Sequence, residues 1–183
     1  MMVVGVVGLP ASGKGEFSRV ARELSIPVVV MGDVIRQAVL EAGMPLTDEN
    51  LGAMGNRLRE REGMDAIASR CVPRIEAQDS PVVVIDGIRG SAEVRLFRHH
   101  FPEFCLVAIH ADFQTRLQRL RGRRRSDDVT LEEDLLQRDA REQAWGLSDA
   151  LSEADYTIEN EGELDPFQEK VRALLSRLCR KVA

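Results

Sequence analysis

Lysine is nearly absent from this chain. Only Lys14, Lys170 and Lys181 occur, so every other member of its 25 basic residues is an arginine. Arginine's planar fork suits bidentate phosphate contacts, although an arginine-rich composition also arises from genomic bias, and position has to decide between the two. Cysteine is scarce too: Cys71, Cys105 and Cys179 stand alone, with no metal-ligand spacing. An odd count without a secretory leader reads as reduced, intracellular thiols and a cytoplasmic protein. The apolar N-terminal run Met1 to Val7 has no basic leader and is too short to cross a membrane. Positive charge is not in surplus. A net charge of -5 argues against a molecule whose whole surface attracts nucleic acid. Internal repeats and long linkers are missing, and 183 residues that are 44% apolar suffice for one domain, 1–183, with a full core.

What is present is an alternation. Val3 to Val7 is a continuous β-branched run, as expected of a strand buried on both faces. Similar short runs recur at 27–31, 82–86, 105–109 and 156–158, and patterns of helical period separate them. Helices are expected from Lys14 to just before Pro27, over Gly32–Gly43, from a Thr47 cap to about Gly63, over 65–78 and over 92–97. Further helices are expected through Leu117 and Leu120, after a Thr130–Glu133 capping box, and from Pro166. Five strands alternating with helices predict an α/β fold, a parallel five-stranded sheet covered on both faces. The two helices between Asp33 and Gln78 exceed one crossover, so 33–78 is expected to form a helical insertion over the site.

The chemistry begins at GLPASGKGEF, residues 8–17. It fits the phosphate-loop pattern G-x-x-x-x-G-K-[ST] except that Gly15 replaces the hydroxyl residue. The loop follows a hydrophobic strand and opens a helix, which is the context this motif requires. Its backbone N–H groups, from about Ala11 to Gly15, can converge on a phosphate, with Lys14 reaching the β- and γ-phosphates. Without the hydroxyl, a magnesium ion must be held by substrate phosphates, waters and more distant carboxylates. Asp86 and Asp33 lie where strand ends would place them, and both are candidates, although Asp33 equally suits a helix cap. Arg36 and Arg89 stand near these acids. An arginine cluster follows at Arg119, Arg121, Arg123, Arg124 and Arg125, either as a short lid over 119–128 or as a solvated charge run.

On these residues the chain resembles the adenylate-kinase branch of P-loop phosphotransferases. Gly8-Leu-Pro10-Ala11-Ser12-Gly13-Lys14-Gly15 is similar to its GxPGxGKG loop. Gly32, Asp33 and Arg36 are similar to its Gly-Asp-x-x-Arg motif, and Asp86-Gly87-Ile88-Arg89 to its Asp-Gly-Phe-Pro-Arg motif, one residue short. The resemblance implies a P-loop nucleoside triphosphate hydrolase fold, acceptor binding by Arg36 and Arg89, and magnesium waters ordered by Asp33 and Asp86. It implies lid arginines at Arg119, Arg123 and Arg125, with Arg125-Ser126-Asp127-Asp128 as the lid's end and Arg138 as a helical partner. The stretch Ala154 to Leu164 resembles a segment of dephospho-coenzyme A kinases, where Asn160 and Gly162 would touch adenine; as turn formers these two residues serve equally well. Over its whole length the chain resembles an archaeal group related to both kinases. Glu16 departs from the pattern, because adenylate kinases place a threonine there. A carboxylate would repel the nucleotide unless it turns away or joins the metal's water shell.

The expected function is an ATP- and magnesium-dependent kinase of a small phosphate-bearing acceptor, most simply a nucleoside monophosphate. The site would comprise Lys14, Asp33, Arg119, Arg123 and Arg125 for catalysis. ATP would be bound by Gly8, Pro10, Ala11, Ser12, Gly13, Lys14, Gly15, Glu16, Asn160 and Gly162. The alternatives are phosphorylation of a 3'-hydroxyl, as in dephospho-coenzyme A kinases and with Asp33 as base, or a regulatory ATPase without a small acceptor. His110, at a strand end, is a poorer base.

Overall fold

The computed structural model describes residues 1–122 and 132–182. Among them the chain forms β1 (Met2–Val7), α1 (Lys14–Glu23), β2 (Val28–Val30), α2 (Met31–Glu41), α3 (Asp48–Glu62), α4 (Ala66–Glu76) and β3 (Val82–Ile88). There follow α5 (Ser91–His100), β4 (Phe104–His110), α6 (Phe113–Gly122), α7 (Glu132–Ala144), α8 (Leu147–Ser152), β5 (Tyr156–Glu159) and α9 (Leu164–Val182). The strands pair in parallel in the order β2-β3-β1-β4-β5, as the five apolar runs predict.

Strand periodicity divides the core. In β1, Val3 and Val7 point to one face while Met2, Val4 and Val6 point to the other; β3 and β4 alternate in the same way. One face is closed by α1 and by α9, whose Phe167, Val171, Leu174, Leu175 and Leu178 form an apolar stripe at helical spacing. The other face is covered by α2, α3, α4, α5 and α8. Ile67, Cys71 and Ile75 of α4 are buried in that core, as are Met31, Val34 and Val39 of α2, so both helices pack on the sheet within the β2–β3 connection. The surplus over the crossover is α3, which packs on α2 and α4.

Several boundaries differ from expectation for local reasons. Met31, read as the end of a strand, opens α2 and buries its side chain. Strand β3 runs past Asp86 to Ile88, because Gly87 at φ 102° creates a register shift against β1 in which Val6 faces Asp86 and Val7 faces Ile88. The bulge lies beside the phosphate loop, where such irregularities re-aim side chains. Helix α8 was not foreseen; it is six residues long and begins after Gly146 in the left-handed region. Helix α9 starts two residues before Pro166. The Thr47 cap is present, its Oγ1 accepting from the Asn50 N–H at 3.2 Å. Thr130 of the expected capping box lies outside the described residues. No described helix is long and apolar enough to cross a membrane.

Candidate functional site

The loop between β1 and α1 carries Gly8 through Gly13, with Ala11 at φ 61° and Gly13 at φ 121°. A Cβ at Gly13 would stand 2.3 Å from Nδ2 of Asn160, so this turn is shaped for glycine twice over. Around Gly15 there is no atom within 4 Å of a built Cβ, so nothing steric explains the missing hydroxyl. The Lys14 ammonium donates to the carbonyls of Gly8 and Leu9. Desolvation holds its pKa well below the usual lysine range; Arg89, Arg138 and Arg116 push in the same direction, while Asp86 opposes them.

Two adjoining cavities open at the carboxyl ends of β1, β2 and β3. The first, of about 150 Å³, is walled by loop residues Pro10, Ala11, Gly13, Lys14 and Gly15 together with Asp86. The second, of about 80 Å³, lies beneath α3 and α7, among Ile35, Leu51, Asp48, Arg141, Glu142 and Trp145. Gly32, Arg36, Gly87, Arg89 and Arg138 line both. A phosphate loop on one side and an apolar and charged chamber on the other are thus separated by a wall containing three arginines.

Each wall arginine has an acid. Arg36 meets Asp33 at 2.6 Å, one turn away on the exposed side of α2. Arg89 pairs with Glu142, whose Oε1 also lies 3.5 Å from Nε of Arg138. Burial, then the neighbouring Arg138, lowers the Arg89 pKa, yet a guanidinium starts so high that it stays charged near neutral pH. Behind this wall Arg59 and Glu93 form a buried pair at 3.0 Å. Glu93 also accepts from the Arg89 N–H at 2.7 Å, and burial raises its pKa. Trp145 lies under the guanidinium of Arg59 at 4.2 Å and donates its indole N–H to Asn56 on α3.

The first cavity has its own scaffold. Asp86 accepts from the Ser18 hydroxyl at 2.7 Å, which orients the carboxylate. Arg116 of α6 is buried, donates to the Pro10 carbonyl at 3.2 Å and forms a two-bond pair with Asp139 of α7 at 2.9 and 2.7 Å. Arg119 donates to the carbonyls of Ser12 and Asn160, and Asn160 Nδ2 donates to the Ser12 carbonyl at 2.7 Å. Asn160 therefore braces the loop from behind. Gly162 lines a separate surface pocket with Glu161, Glu163 and Lys170. Glu16 turns away from the loop: its carboxylate accepts from Arg19 at 2.6 and 2.8 Å and from Gln168 at 2.6 Å.

Of the acids expected at magnesium, Asp86 lines the loop cavity, whereas Asp33 is exposed and lines neither cavity. Asp86, steadied by Ser18 and beside the open space at Gly15, fits the oxygen-rich shell that a magnesium ion takes. Arg123 and Arg125, with Arg124 and Ser126–Asp128, lie outside the described residues. His110 is exposed, its Nδ1 2.8 Å from Glu159 and 3.6 Å from Glu161, and it lines neither of the two cavities.

Comparison with known proteins agrees with this geometry. The AAA domain family matches residues 4–145. A UPF0200 protein of Methanoregula boonei is 59% identical over 99% of this chain and 100% of its own length. The chain belongs to the UPF0200 family, with an AAA domain. Beyond the UPF0200 family, a gluconokinase from Sinorhizobium meliloti superposes with a TM-score of 0.60 at 21% identity, covering 98% of this chain and 94% of its own. A shikimate kinase from Bacteroides thetaiotaomicron reaches 0.66 at 12% identity, covering 96% and 98%. These likenesses are of fold alone.

Sequence reasoning underweighted Arg138 and missed Ser18, the Arg116–Asp139 pair, Glu142 and Trp145. Arg138 was visible only as a helical arginine after the cluster. The rest carry no motif; Ser18 and Arg116 do fall on the apolar faces of their helices, Ser18 three positions before Ala21 and Arg116 between Phe113 and Leu120, which was the one available signal.

Proposed function

We propose that the chain is an ATP- and magnesium-dependent phosphotransferase acting on a small phosphate-bearing acceptor, with nucleoside monophosphates as the favoured class. The observation that carries this reading is the arginine wall: Arg36, Arg89 and Arg138 border both the loop cavity and the chamber under α3. A hydrolase needs a nucleotide site and a water. Two chambers joined through fixed guanidinium donors suit transfer of a phosphoryl group between two anions.

In this reading the loop N–H groups and Lys14 hold the triphosphate of ATP, and the Arg116 and Asn160 contacts keep the loop in shape. Asp86, and Asp33 from outside the cavity lining, would order the waters of a magnesium ion, which would supply positive charge against the phosphates. Arg36 and Arg89 hold the acceptor's phosphate. Arg138, between the two chambers, neutralises the group in transit, with Arg119 at the loop. An acceptor phosphate oxygen is already ionised near neutral pH and needs no general base, so Asp33 is free to stay paired with Arg36. The solved structures of similar fold are named as kinases of gluconate and shikimate, which makes sugar-acid acceptors the natural competitors in any screen.

The test is a transfer screen with ATP and magnesium against AMP, CMP, UMP, GMP, dephospho-coenzyme A, gluconate and shikimate. Transfer to a nucleoside monophosphate is expected; Lys14→Ala should abolish it, and Arg36→Ala should mainly raise the acceptor's KM. Phosphate released from ATP alone, with no acceptor modified and no effect of Arg36→Ala, would leave a regulatory ATPase instead.

A further inference from the structure

Two carboxylates already occupy the arginines of the second chamber. Glu142 has a side chain only 2% exposed, and Arg89 and Arg138 both address its Oε1. Among the described residues its Oε2 is buried and has no hydrogen-bond partner. Asp48, in the first turn of α3, accepts twice from Arg141, at 3.1 and 2.9 Å, and lies 3.6 Å from Arg138. The Nε groups of Arg138 and Arg141 are also buried without a hydrogen bond. A guanidinium offers five donors, so these pairings leave much of the chamber's donor capacity unused, and one buried carboxylate oxygen goes unmatched. Five arginines and three carboxylates line the chamber, which keeps it cationic.

We infer that Glu142 and Asp48 are resident stand-in anions that make the chamber select a dianionic phosphate monoester over a monocarboxylate. This rests on the reading of the chamber as the acceptor site. An incoming monocarboxylate only exchanges one carboxylate–guanidinium contact for another of the same charge and shape, so it gains nothing over the resident acid. A phosphate monoester carries nearly two charges on three oxygens. It can engage Arg89 and Arg138 together and reach Arg36 with a third oxygen, which the single Oε1 of Glu142 does not do. The exchange is one of ion pairs, with no covalent bond made or broken. Glu142 and Asp48 act through the arginines and are positioning residues. Because Asp48 sits on α3 and its partners Arg138 and Arg141 on α7, the Asp48 contacts also hold these two helices together, while Glu142 ties α7 to Arg89 just after β3.

A merely structural role makes the opposite prediction, and calorimetric titration separates the two. The titrations use the full chain carrying Lys14→Ala, which takes the loop's own cation out of the competition, and need no ATP. The ligands are AMP, inorganic phosphate and gluconate. The parent chain should bind AMP most tightly and phosphate next, with gluconate at least about tenfold weaker than phosphate. Adding Glu142→Gln should tighten phosphate binding by about tenfold and make gluconate binding measurable, because the resident competitor has lost its charge. Asp48→Asn should shift both in the same direction by a smaller factor, since its side chain is 27% exposed against 2% for Glu142. Weaker phosphate binding by a cooperatively melting Glu142→Gln chain would overturn the inference. So would gluconate binding the parent as tightly as phosphate, or AMP binding no tighter than phosphate. Should Glu142→Gln fail to fold, Asp48→Asn decides alone, with weaker phosphate binding as the refuting result. Failure of the transfer screen, by contrast, bears on the kinase reading and leaves these affinities as they stand.

Discussion

Replacing Asp139 with leucine should destabilise the protein far more than replacing Asp139 and Arg116 together. Arg116 is 3% exposed, and Asp139 supplies two of its three hydrogen bonds, at 2.9 and 2.7 Å. Asp139→Leu leaves a buried guanidinium with only the Pro10 carbonyl. Breaking one side of a buried pair in this way costs about 3–5 kcal/mol. A chain of this length loses roughly 2–4 °C of melting temperature per kcal/mol, so a drop on the order of 10 °C is expected. In the double variant Arg116→Met/Asp139→Leu no charge is buried, and most of that loss should return. The function should separate from the stability. The Pro10 contact is gone in the double variant, so ATP affinity should stay reduced by roughly tenfold, about 1.4 kcal/mol, even where the melting temperature recovers. Differential scanning calorimetry and ATP titration measure the two quantities. A melting temperature within about 2 °C of wild type for Asp139→Leu, or a double variant no more stable than the single, would refute this account of the pair.

Lys14 supplies a pH prediction. Its folded pKa lies below the ordinary 10.5, so between those values the unfolded chain binds more protons and stability rises with pH. Triphosphate binding favours the ammonium and so raises this pKa, and calorimetry in buffers of different ionisation enthalpy should show proton uptake that appears as the pH rises towards the lowered pKa and is absent in Lys14→Arg; binding without buffer dependence up to the ordinary lysine range would contradict it. The loop glycines should behave differently: Gly15→Ser enters open space and should leave the melting temperature within a few degrees of wild type, whereas Gly13→Ala meets Asn160 at 2.3 Å and a φ of 121°, and should cost roughly 1–3 kcal/mol. Burial pushes the Cys71 thiol up to about 12 and Cys105 up to about 11, while Cys179 is only partly covered. A thiol reagent at neutral pH should therefore react quickly with Cys179 alone in the native chain and with all three after denaturation.

The sheet was legible because Val3–Val7, 82–85 and 105–109 carry no polar side chain, as a parallel strand covered on both sides requires. The loop was legible because its motif is a backbone device, spelled in glycines and one lysine. Helix α8 escaped because six residues with two buried side chains carry too little periodicity to stand out. The core role of α4 escaped because a run of three helices between two strands does not show locally which of them pack on the sheet; α2 and α4 do, and α3 lies on both. Glu16 was legible as a problem, but what turns it away is Arg19 on its own helix together with Gln168, far along the chain. The ion pairs around the two cavities are of the same kind. Arg89–Glu142, Arg141–Asp48 and Arg116–Asp139 join residues 23 or more positions apart, and no local pattern links them.

The central claim is transfer between two anions across the wall of Arg36, Arg89 and Arg138. The most direct measurement follows the labelled γ-phosphate of ATP in the presence of magnesium and AMP, with wild type and Arg138→Met compared. The account predicts label in ADP formed from AMP, and a fall in kcat of at least about a hundredfold for Arg138→Met with the KM for ATP little changed. Label appearing only as inorganic phosphate, at a rate unaffected by AMP and by Arg138→Met, would contradict it.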